Sequence, residues 1–336
     1  MINGKNVIVA LDAMGGDFAP AEQVKGAVQA LEAEDGIEVK LYGDESAVTR
    51  ELNKYSYDKN RISVVHCTEI VDNCDVPTDA IRKKKDSSMV KGLFALKNSE
   101  ADAFVSCGNT GALLVGGQII TGRIRGIDRA ALAFVVPSEK GPVLLMDCGA
   151  NVDVRPQMLV QFAQMGSVYM ESVVGIKSPR VGIVNIGEEE TKGNQLVQET
   201  FPLMKTINGI NFIGSIETRG MIRGEADVVV CDGFVGNIIL KTYEGAADII
   251  LKVIKESMMS TFKSKMGALL VKKQLKESMQ QFSIEEYGGA PMLGLKKFVV
   301  KTHGNSKASE IRNTIIQCKK AVSQDISGKI TQAINK

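Results

Sequence analysis

The sequence predicts a three-layer α/β/α fold with a mainly parallel sheet, on three observations. Short apolar segments of strand length alternate with amphipathic helical patterns along almost the whole chain, an order typical of a parallel sheet covered by helices. The chain has 336 residues, of which 44% are hydrophobic and 24% charged, so it can bury a large core. Polar, glycine-rich turns follow many of the apolar segments. We expect one α/β domain over residues 1–336, or two fused lobes.

The first half of the chain alternates strands with helices. Residues 6–11 form the first predicted strand, and the helix after it, 21–33, carries apolar residues at helical spacing. Residues 131–136 and 143–146 are separated only by a short turn, which predicts an antiparallel hairpin. The remaining predicted elements of this half are strands at 39–42, 62–65 and 103–106 and helices at 45–54 and 88–97.

The second half continues the pattern and adds a long helical region. Pro156 stands at a favourable first-turn position of a helix that runs to about 174. No proline interrupts residues 236–277 and strand signals are nearly absent there, so this is the longest predicted helical region. The other predicted elements are strands at 181–186, 211–214, 227–231 and 298–301, and helices at 195–207 and from 306 to about 327.

Residues 251–277 predict a basic amphipathic helical hairpin that projects from the fold, with Gly267 near its tip. Seven lysines and one glutamate within 251–276 give a net charge of +6, while the whole chain carries +2. Such a surface fits an anionic membrane, an acidic protein or a second copy of the chain. A solvated lysine face over an ordinary core stripe is an equally good interpretation. The candidate surface residues are Met258, Phe262, Lys263, Leu269, Leu270, Lys272 and Lys273.

Composition and cysteine usage exclude several classes of protein. A net charge of +2, no tryptophan and 5% aromatic residues argue against nucleic-acid binding. The six cysteines include no CxxC pair and the chain has two histidines, which excludes a zinc finger or a disulfide framework, and we expect no metal site. The apolar run before Asp12 is too short for a signal peptide, and the uncharged stretch 103–122 contains five glycines, unlike a membrane span. A cytoplasmic protein is expected.

Residues 102–122 predict a strand, a tight turn and a small-residue helix. Gly108 and Gly111 permit close approach of the backbone, and Asn109 and Thr110 are able to cap the following helix. Helix N-termini leave unpaired backbone N–H groups that bind anions, so this turn is a candidate phosphate site. Close packing of the helix on the sheet explains the stretch, taken alone, equally well.

Six predicted strands are followed by polar turns, at residues 12–17, 106–111, 147–153, 186–194, 232–237 and 303–307. Because the carboxyl ends of parallel strands meet at one edge, we expect these loops to converge on a single site. None contains GxGxxG or GxxxxGK[ST], so the dinucleotide and nucleoside-triphosphate fingerprints are absent. Lys192 is a candidate anion ligand and His303 a candidate proton carrier. A solvated lysine and a simply hydrogen-bonded histidine are the alternatives.

Taken together, the loop sequences closely resemble the acyl-ACP:phosphate acyltransferase (PlsX) family over essentially the full chain. The matching motifs are VALDAMGGDFAP at 9–20, GNTGAL at 108–113, DCGANVDVRPQMLVQFA at 147–163, NIGEEETKGN at 185–194, DGFVGNIILK at 232–241, GGAPMLG at 288–294 and THG at 302–304. The resemblance implies an isocitrate/isopropylmalate dehydrogenase-like fold, similar to that of phosphotransacetylases. Cys107 stands where the family tends to have alanine, which argues against a nucleophilic cysteine.

The resemblance implies an enzyme that transfers a fatty acyl group from acyl carrier protein to inorganic phosphate, giving acyl phosphate for phospholipid synthesis. It implies no cofactor, a homodimer and a catalytic domain over 1–336. The basic hairpin would contact the acidic carrier protein, an anionic membrane or a membrane acyltransferase, so peripheral contact at the inner face of the cell membrane is expected. A phosphotransacetylase-like enzyme that uses acyl-CoA and a non-catalytic lipid-surface scaffold are the alternatives.

Phosphate is already an anionic nucleophile and a thiolate is a tolerable leaving group, so such a site must mainly position phosphate and stabilise charge. From the resemblance and the expected convergence of the loops, we expect Lys192, His303 and Asn109 to act in catalysis. The residues expected to bind phosphate and substrate, or to orient these groups, are Gly108, Thr110, Gly111, Asp12, Gly15, Gly16, Asp17, Asp147, Asn151, Asp232, Gly233, Gly236 and Asn237. The aspartates are expected to orient other groups, since carboxylates repel phosphate.

Overall fold

The structure is a computed structural model that describes residues 5–280 and 287–335, the side chains of 276–280 excepted. Its strands are β1 (Val7–Asp12), β2 (Ile37–Gly43), β3 (Ile62–His66), β4 (Ala103–Ser106), β5 (Ala131–Ser138), β6 (Gly141–Met146), β7 (Arg180–Val184), β8 (Asn211–Ile216), β9 (Val228–Val230), β10 (Ala290–Leu293) and β11 (Phe298–Lys301). In the described residues they form one sheet, in the order β3-β2-β1-β4-β11-β10-β5-β6-β9-β7-β8.

Helices cover both faces of the sheet. One face carries α1 (Ala21–Ala33), α2 (Glu45–Leu52), α6 (Pro156–Tyr169), α7 (Gln195–Thr206), α11 (Ala308–Ser323) and α12 (Ile326–Ile334). The other carries α3 (Pro77–Lys83), α4 (Ser88–Lys97), α5 (Thr110–Gly116), α8 (Thr218–Ile222) and the beginning of α9 (Gly233–Met259). Single π-helical turns extend α5 to Thr121 and α6 to Val174. The predicted three-layer α/β/α class is confirmed.

Strands in the middle of the sheet are buried on both faces, which explains their continuous apolar sequence. β4 reads AFVS, β9 reads VVV and β11 reads FVVK, and every residue in them is buried. Parallel strands covered by helices on both sides show this pattern instead of an alternation of apolar and polar residues. The core therefore lies in two layers, one on each side of the same strands.

The direction of the strands reverses across the centre of the sheet. β3, β2, β1, β4 and β11 are parallel to one another, and so are β6, β9, β7 and β8. Between the two groups, β10 is antiparallel to β11 and to β5, and β5 is antiparallel to β6. The two parallel groups therefore run in opposite directions, and the loops at their carboxyl ends leave the sheet in opposite directions. The expectation that all six polar loops meet at one edge is wrong.

The helical hairpin is present, but its turn is not where the sequence predicted it. α9 is 27 residues long, and its buried residues, Gly233, Gly236 and Leu240, all lie in its first part. α10 (Phe262–Gln280) folds back beside α9, so the turn lies at 260–261 and Gly267 lies inside α10. None of the described helices combines the length and the apolarity that a bilayer-spanning segment requires.

Two predictions near the chain end need correction. The closing helix predicted over 306–327 is in fact two helices, α11 and α12. They separate at Asp325, which has a left-handed φ of 49° and accepts a hydrogen bond from the Gly328 N–H as the N-cap of α12. The four-residue strand β10, within a segment rich in glycine and proline, was not predicted at all.

Candidate functional site

The polar loops form two groups, which we call cluster 1 and cluster 2. Cluster 1 consists of the loops after β1, β4 and β11, at residues 12–17, 106–111 and 302–307. Cluster 2 consists of the loops after β6, β7 and β9, at residues 147–153, 185–194 and 231–237. Each cluster lies at the carboxyl ends of parallel strands, where α/β sheets bind ligands.

Asp12 organises the centre of cluster 1. Its buried carboxylate accepts hydrogen bonds from the N–H groups of Met14 and Gly15 and from Ser106 Oγ, at 2.7–3.2 Å. Burial raises the pKa of Asp12, although these hydrogen bonds oppose the shift. A Cβ at position 15 would lie 2.5 Å from the carboxylate and 2.7 Å from the nitrogen of Gly108, so only glycine fits. Asp12 therefore holds the β1 and β4 loops against each other.

The third loop of cluster 1 closes on the first. The Asp17 N–H donates to the carbonyl oxygen of Gly304 at 2.7 Å. Gly16, with a φ of +98°, lies between Cys107 and Gly304, and a Cβ there would approach both within 2.9 Å. Cluster 1 is thus a tightly closed meeting of three loops.

Asn109 is the N-cap of α5, as its position in the turn predicted. Its Oδ1 accepts from the Ala112 N–H at 2.9 Å, and its Nδ2 donates to three backbone carbonyls in the segment 72–75 at 3.0–3.2 Å. Gly111 lies under the ring of Pro77, which a Cβ would approach to 2.7 Å. Both ends of the Asn109 amide are therefore engaged within the protein.

A buried lysine that sequence analysis missed lies beneath cluster 1. Lys301 ends β11, and its Nζ donates to the carbonyl oxygens of Cys107, at 3.3 Å, and of Thr302. Burial lowers the pKa of Lys301. The Cys107 thiol accepts from Thr302 Oγ1 at 2.8 Å, and burial raises its pKa to about 11, so it stays protonated at neutral pH. The available signal was a lysine at the end of the otherwise apolar strand FVVK.

His303 connects cluster 1 to α9. Its Nε2 lies 3.3 Å from the carboxylate of Glu244, and its ring meets that of Phe134 edge to face with centroids 5.7 Å apart. The interaction with Glu244 raises the pKa of His303 above its ordinary value, although burial opposes this. Asp232 stands at the start of α9, and Glu244 lies roughly 18 Å further along the helix, at a rise of ~1.5 Å per residue. His303 is therefore remote from the α9 N-terminus in cluster 2.

Asp147 has the same role in cluster 2 as Asp12 in cluster 1. Its fully buried carboxylate accepts four hydrogen bonds of 2.7–3.0 Å, from three backbone N–H groups and from Asn151 Nδ2. Burial raises its pKa. The Asn151 carbonyl accepts from the Gly233 N–H at 2.7 Å, and a Cβ at Gly236 would lie 1.9 Å from the Asp147 carbonyl oxygen. These contacts fix the β6 loop against the first turn of α9.

The N-termini of two helices border a cavity of about 480 Å³ in cluster 2. Asn194 caps α7 and Asp232 caps α9, each accepting from the backbone N–H three residues further on. Both caps line the cavity, together with apolar side chains that include Ile183, Leu196 and Val235. Because first-turn N–H groups and the helix dipole favour negative charge, this cavity is suited to an anion with an apolar portion.

Lys192 directly precedes two residues that line this cavity, Gly193 and Asn194. The Lys192 carbonyl accepts from Asn185 Nδ2 at 3.1 Å, which ties the loop to the end of β7. The Lys192 ammonium is half-exposed and pairs with Glu189 at 2.8 Å, and that hydrogen bond raises its pKa. Since exposed ion pairs are weak, an anionic ligand can replace Glu189 at little cost.

The structure distributes the predicted site residues between the two clusters. Cluster 1 contains Asp12, Gly15, Gly16, Asp17, Gly108, Asn109, Thr110, Gly111 and His303. Cluster 2 contains Asp147, Asn151, Lys192, Asp232, Gly233, Gly236 and Asn237. Asn109 and His303 therefore belong to a different group of loops from Lys192.

Comparison with known proteins identifies the family. A sequence model of the family described as "Fatty acid synthesis protein" matches residues 7–329. The chain belongs to this family. It is 46% identical over 328 residues to a protein named phosphate acyltransferase from Clostridium perfringens, which covers 98% of this chain and 97% of that protein. A phosphate acyltransferase from Halothermothrix orenii is 46% identical over 329 residues, 98% of each chain. The predicted family, and with it an enzyme of the acyltransferase class, is confirmed.

Solved structures agree on the fold. A phosphotransacetylase from Streptococcus pyogenes matches with a TM-score of 0.61 at 18% identity, over 99% of this chain and 95% of that one. The EutD phosphotransacetylase from Staphylococcus aureus matches with a TM-score of 0.60 at 16% identity, over 95% of both chains. At this level of identity the likeness shows the shared fold and nothing about the substrate.

Proposed function

We propose that the protein transfers a fatty acyl group from a thioester to inorganic phosphate, and that the reaction takes place in cluster 2. One observation carries this assignment. The cavity of cluster 2 brings the N-termini of α7 and α9 together with apolar walls, and Lys192 directly precedes its lining residue Gly193. In cluster 1, by contrast, the polar side chains of Asp12 and Asn109 are used to join loops.

In the proposed reaction, phosphate lies between Lys192 and the first turn of α9. Lys192 exchanges Glu189 for phosphate, and the positive end of the α9 dipole stabilises its negative charge. A phosphate oxygen attacks the carbonyl carbon of the thioester, the carbon–sulfur bond breaks, and the thiolate leaves and takes up a proton. Asn237, one turn into α9 beside Gly149, is our candidate donor to the thioester oxygen.

The remaining predicted site residues then have positioning roles. Asp147 and Asn151 hold the loop that supports α9, and Asp232 caps the helix. Asn109 and His303, which the sequence assigned to catalysis, hold cluster 1 together and connect it to α9 in this proposal.

We propose acyl carrier protein as the donor and phospholipid synthesis as the pathway served. The resemblance to the acyl-ACP:phosphate acyltransferase family supports this donor, and so does the basic hairpin, since acyl carrier proteins are acidic. Lys263 and Lys272 are both exposed on the hairpin. Acyl-CoA is the alternative donor, and a lipid-surface scaffold without activity is the alternative function.

The donor is tested by measuring thiol release with palmitoyl-acyl carrier protein and with palmitoyl-CoA, each with and without phosphate. Acyl phosphate is trapped in parallel with hydroxylamine. We expect phosphate-dependent release with a higher kcat/KM for the carrier protein. A higher kcat/KM for acyl-CoA would favour the phosphotransacetylase-like alternative. No phosphate-dependent release from either donor would contradict the proposed activity and leave the scaffold.

We further propose that the hairpin is the surface for dimerisation and for peripheral membrane contact. Exposed side chains near its turn include Phe262 at 80%, and those on α10 include Leu269 at 70% and Leu270 at 79%. An apolar groove of about 720 Å³ between α9 and α10 is lined in part by Met258 and Leu269. Large apolar patches of this kind mark surfaces that bind a partner or a membrane.

The hairpin proposal predicts that changing Leu269 and Leu270 together to Asp abolishes sedimentation with vesicles that contain anionic phospholipid. The same variant tests the dimer by analytical ultracentrifugation. Replacing Lys272 and Lys273 with Gln is expected to weaken vesicle binding most at low salt. Membrane association that persists in the Asp variant would exclude the lipid contact, and an unchanged dimer would exclude these leucines from the interface.

A further inference from the structure

Four exposed apolar side chains stand around cluster 2, and we call them the apolar rim: Val152, Ile186, Phe234 and Ile238. Their exposed fractions are 60%, 80%, 59% and 50%. They come from the loops after β6 and β7 and from the first turns of α9. A group of large exposed apolar residues contributed by separate segments is the kind of surface that binds another molecule.

One member of the apolar rim lines the cavity of cluster 2, and the others adjoin residues of that cluster in the chain. Ile186 lines that cavity, and Phe234 lies between two further lining residues, Asp232 and Val235. Ile238 follows Phe234 by one helical turn, so the two lie on the same side of α9. Val152 follows Asn151, whose carbonyl oxygen accepts the Gly233 N–H. The rim therefore lies beside the helix N-terminus and Lys192.

This arrangement selects an amphiphile as the occupant. A cation and a helix N-terminus favour an anionic or strongly polar head group. The apolar lining of the cavity and the apolar rim favour a hydrocarbon attached to that head group. A second copy of this chain on the rim would bury the adjacent charges of Lys192, Glu189 and Asp232, and their desolvation costs free energy. An acyl substrate avoids this cost because its polar end lies among these charges.

We propose that the apolar rim binds the hydrocarbon chain of the acyl substrate, and that Ile186 and Phe234 set the preference for long over short chains. This inference rests on the proposed function and names the residues that recognise its substrate. The chain leaves the reacting carbonyl group beside Lys192, passes Ile186, and lies against Phe234 and Ile238 on α9. Each methylene group covered by the rim adds to the affinity for long chains and adds nothing for short ones.

The first test measures chain-length preference in the variant with Ile186→Ser and Phe234→Ser. We expect the ratio of kcat/KM for palmitoyl donors to kcat/KM for butyryl donors to fall about tenfold or more, from the apolar contact area lost. Ile222→Ser is the matched control, because Ile222 is 45% exposed and does not line the cavity. Its carbonyl oxygen accepts the N–H of Glu139, in the turn before β6, at the opposite end of that strand from cluster 2. The control should keep the wild-type ratio.

A second measurement separates this inference from the proposed reaction. Binding of laurate, below its micelle concentration, is followed by titration calorimetry for the wild-type protein, the double variant and Ile222→Ser. We expect the double variant to bind laurate at least about tenfold more weakly. If the wild-type protein shows no phosphate-dependent thiol release, weaker laurate binding by the double variant would still support the apolar rim as a site for hydrocarbon chains. The proposed function would then fail separately.

Two outcomes would overturn the inference. One is a double variant, folded as judged by circular dichroism, with the wild-type chain-length ratio and the wild-type affinity for laurate. The other is a variant that changes only the oligomeric state in ultracentrifugation, which would make the rim a contact between copies of the chain. If the double variant fails to fold, Val152→Thr with Ile238→Ser replaces it, with the same expected direction for both readouts.

Discussion

The two clusters contain similar structural elements, but the loops of cluster 1 close on one another and cluster 2 borders an open cavity. Each has a buried aspartate, Asp12 or Asp147, that accepts several hydrogen bonds from its own loops. Each has a helix whose N-cap side chain is bonded in place. In cluster 1 the cap, Asn109, also binds three carbonyls and the loops close on one another. In cluster 2 the caps Asn194 and Asp232 border an open cavity.

This difference shows that a glycine-rich turn at a strand end is a sign of a close approach, not in itself of a ligand. In cluster 1, Gly15 and Gly16 make room for the neighbouring loops. In cluster 2, Gly236 makes room for the Asp147 carbonyl, and the space beside it remains open. An accessible cation and a cavity distinguish a candidate catalytic site from a structural junction with the same sequence pattern.

The largest expected effect that distinguishes the clusters is that of Lys192→Ala. We expect kcat/KM for phosphate to fall by about 10²- to 10³-fold, because the variant removes a charge that stabilises the phosphate and the transition state. Steady-state kinetics with phosphate as the varied substrate measure it. Lys205→Ala is the matched control, since Lys205 pairs with Glu190 of the same loop from the last turn of α7. Lys192 directly precedes the lining residue Gly193, whereas neither neighbour of Lys205 in the chain lines the cavity.

A Lys192→Ala enzyme with wild-type phosphate kinetics would remove cluster 2 from the reaction. A loss of the same size in Lys205→Ala would mean that the loop is sensitive to any lost ion pair. Either result would favour cluster 1 over cluster 2 as the phosphate site.

The next effect is one on stability, in cluster 1. Asn109→Ala should lower the free energy of unfolding by about 2 kcal/mol, because α5 loses its cap and three backbone carbonyls in 72–75 lose their donor. Asn109→Ser keeps a capping oxygen and should fall between alanine and the wild type. Urea denaturation measures both.

Below its melting temperature, Asn109→Ala should keep kcat/KM for phosphate within about threefold of wild type, and a loss of about 10²-fold would place phosphate in cluster 1.

The smallest effect concerns the pair His303 and Glu244. The pKa of His303 is raised in the folded protein, so the pair stabilises the fold fully below the ordinary histidine pKa of about 6.5. This contribution is lost as the pH rises through the raised pKa. Glu244→Gln should therefore lower the melting temperature more at pH 6 than at pH 9, by about 1–2 °C, given that the pair is partly exposed. A wild-type His303 pKa in the variant, measured by NMR, would contradict the assignment.

Much of the fold could be predicted from local sequence. The helices at 21–33 and 88–97 were predicted with the bounds of α1 and α4, because their apolar spacing and flanking residues are local signals. The reversal of the sheet could not be predicted. It depends on β10, a short strand in GGAPMLG that is defined only by its two antiparallel neighbours. One unpredicted strand decides which polar loops share an edge.

The sequence predicted individual residues of the candidate site, but not how the fold groups them. The sequence identified Lys192, Asp232 and Asn109 as strand-end residues with the right chemistry. Whether a capping amide is free or engaged depends on a segment far away in the chain, as the bonds from Asn109 to 72–75 show. Lys301 was missed because burial of its ammonium depends on three loops that meet only in the folded protein.

The position of bound phosphate tests the central claim most directly. A crystal structure of the protein with inorganic phosphate at saturating concentration would locate the anion. We predict phosphate in cluster 2, beside the first turn of α9 and in contact with Lys192 Nζ, with Glu189 displaced. Phosphate bound instead at the turn of Gly108 to Gly111, with none beside Lys192, would contradict the account.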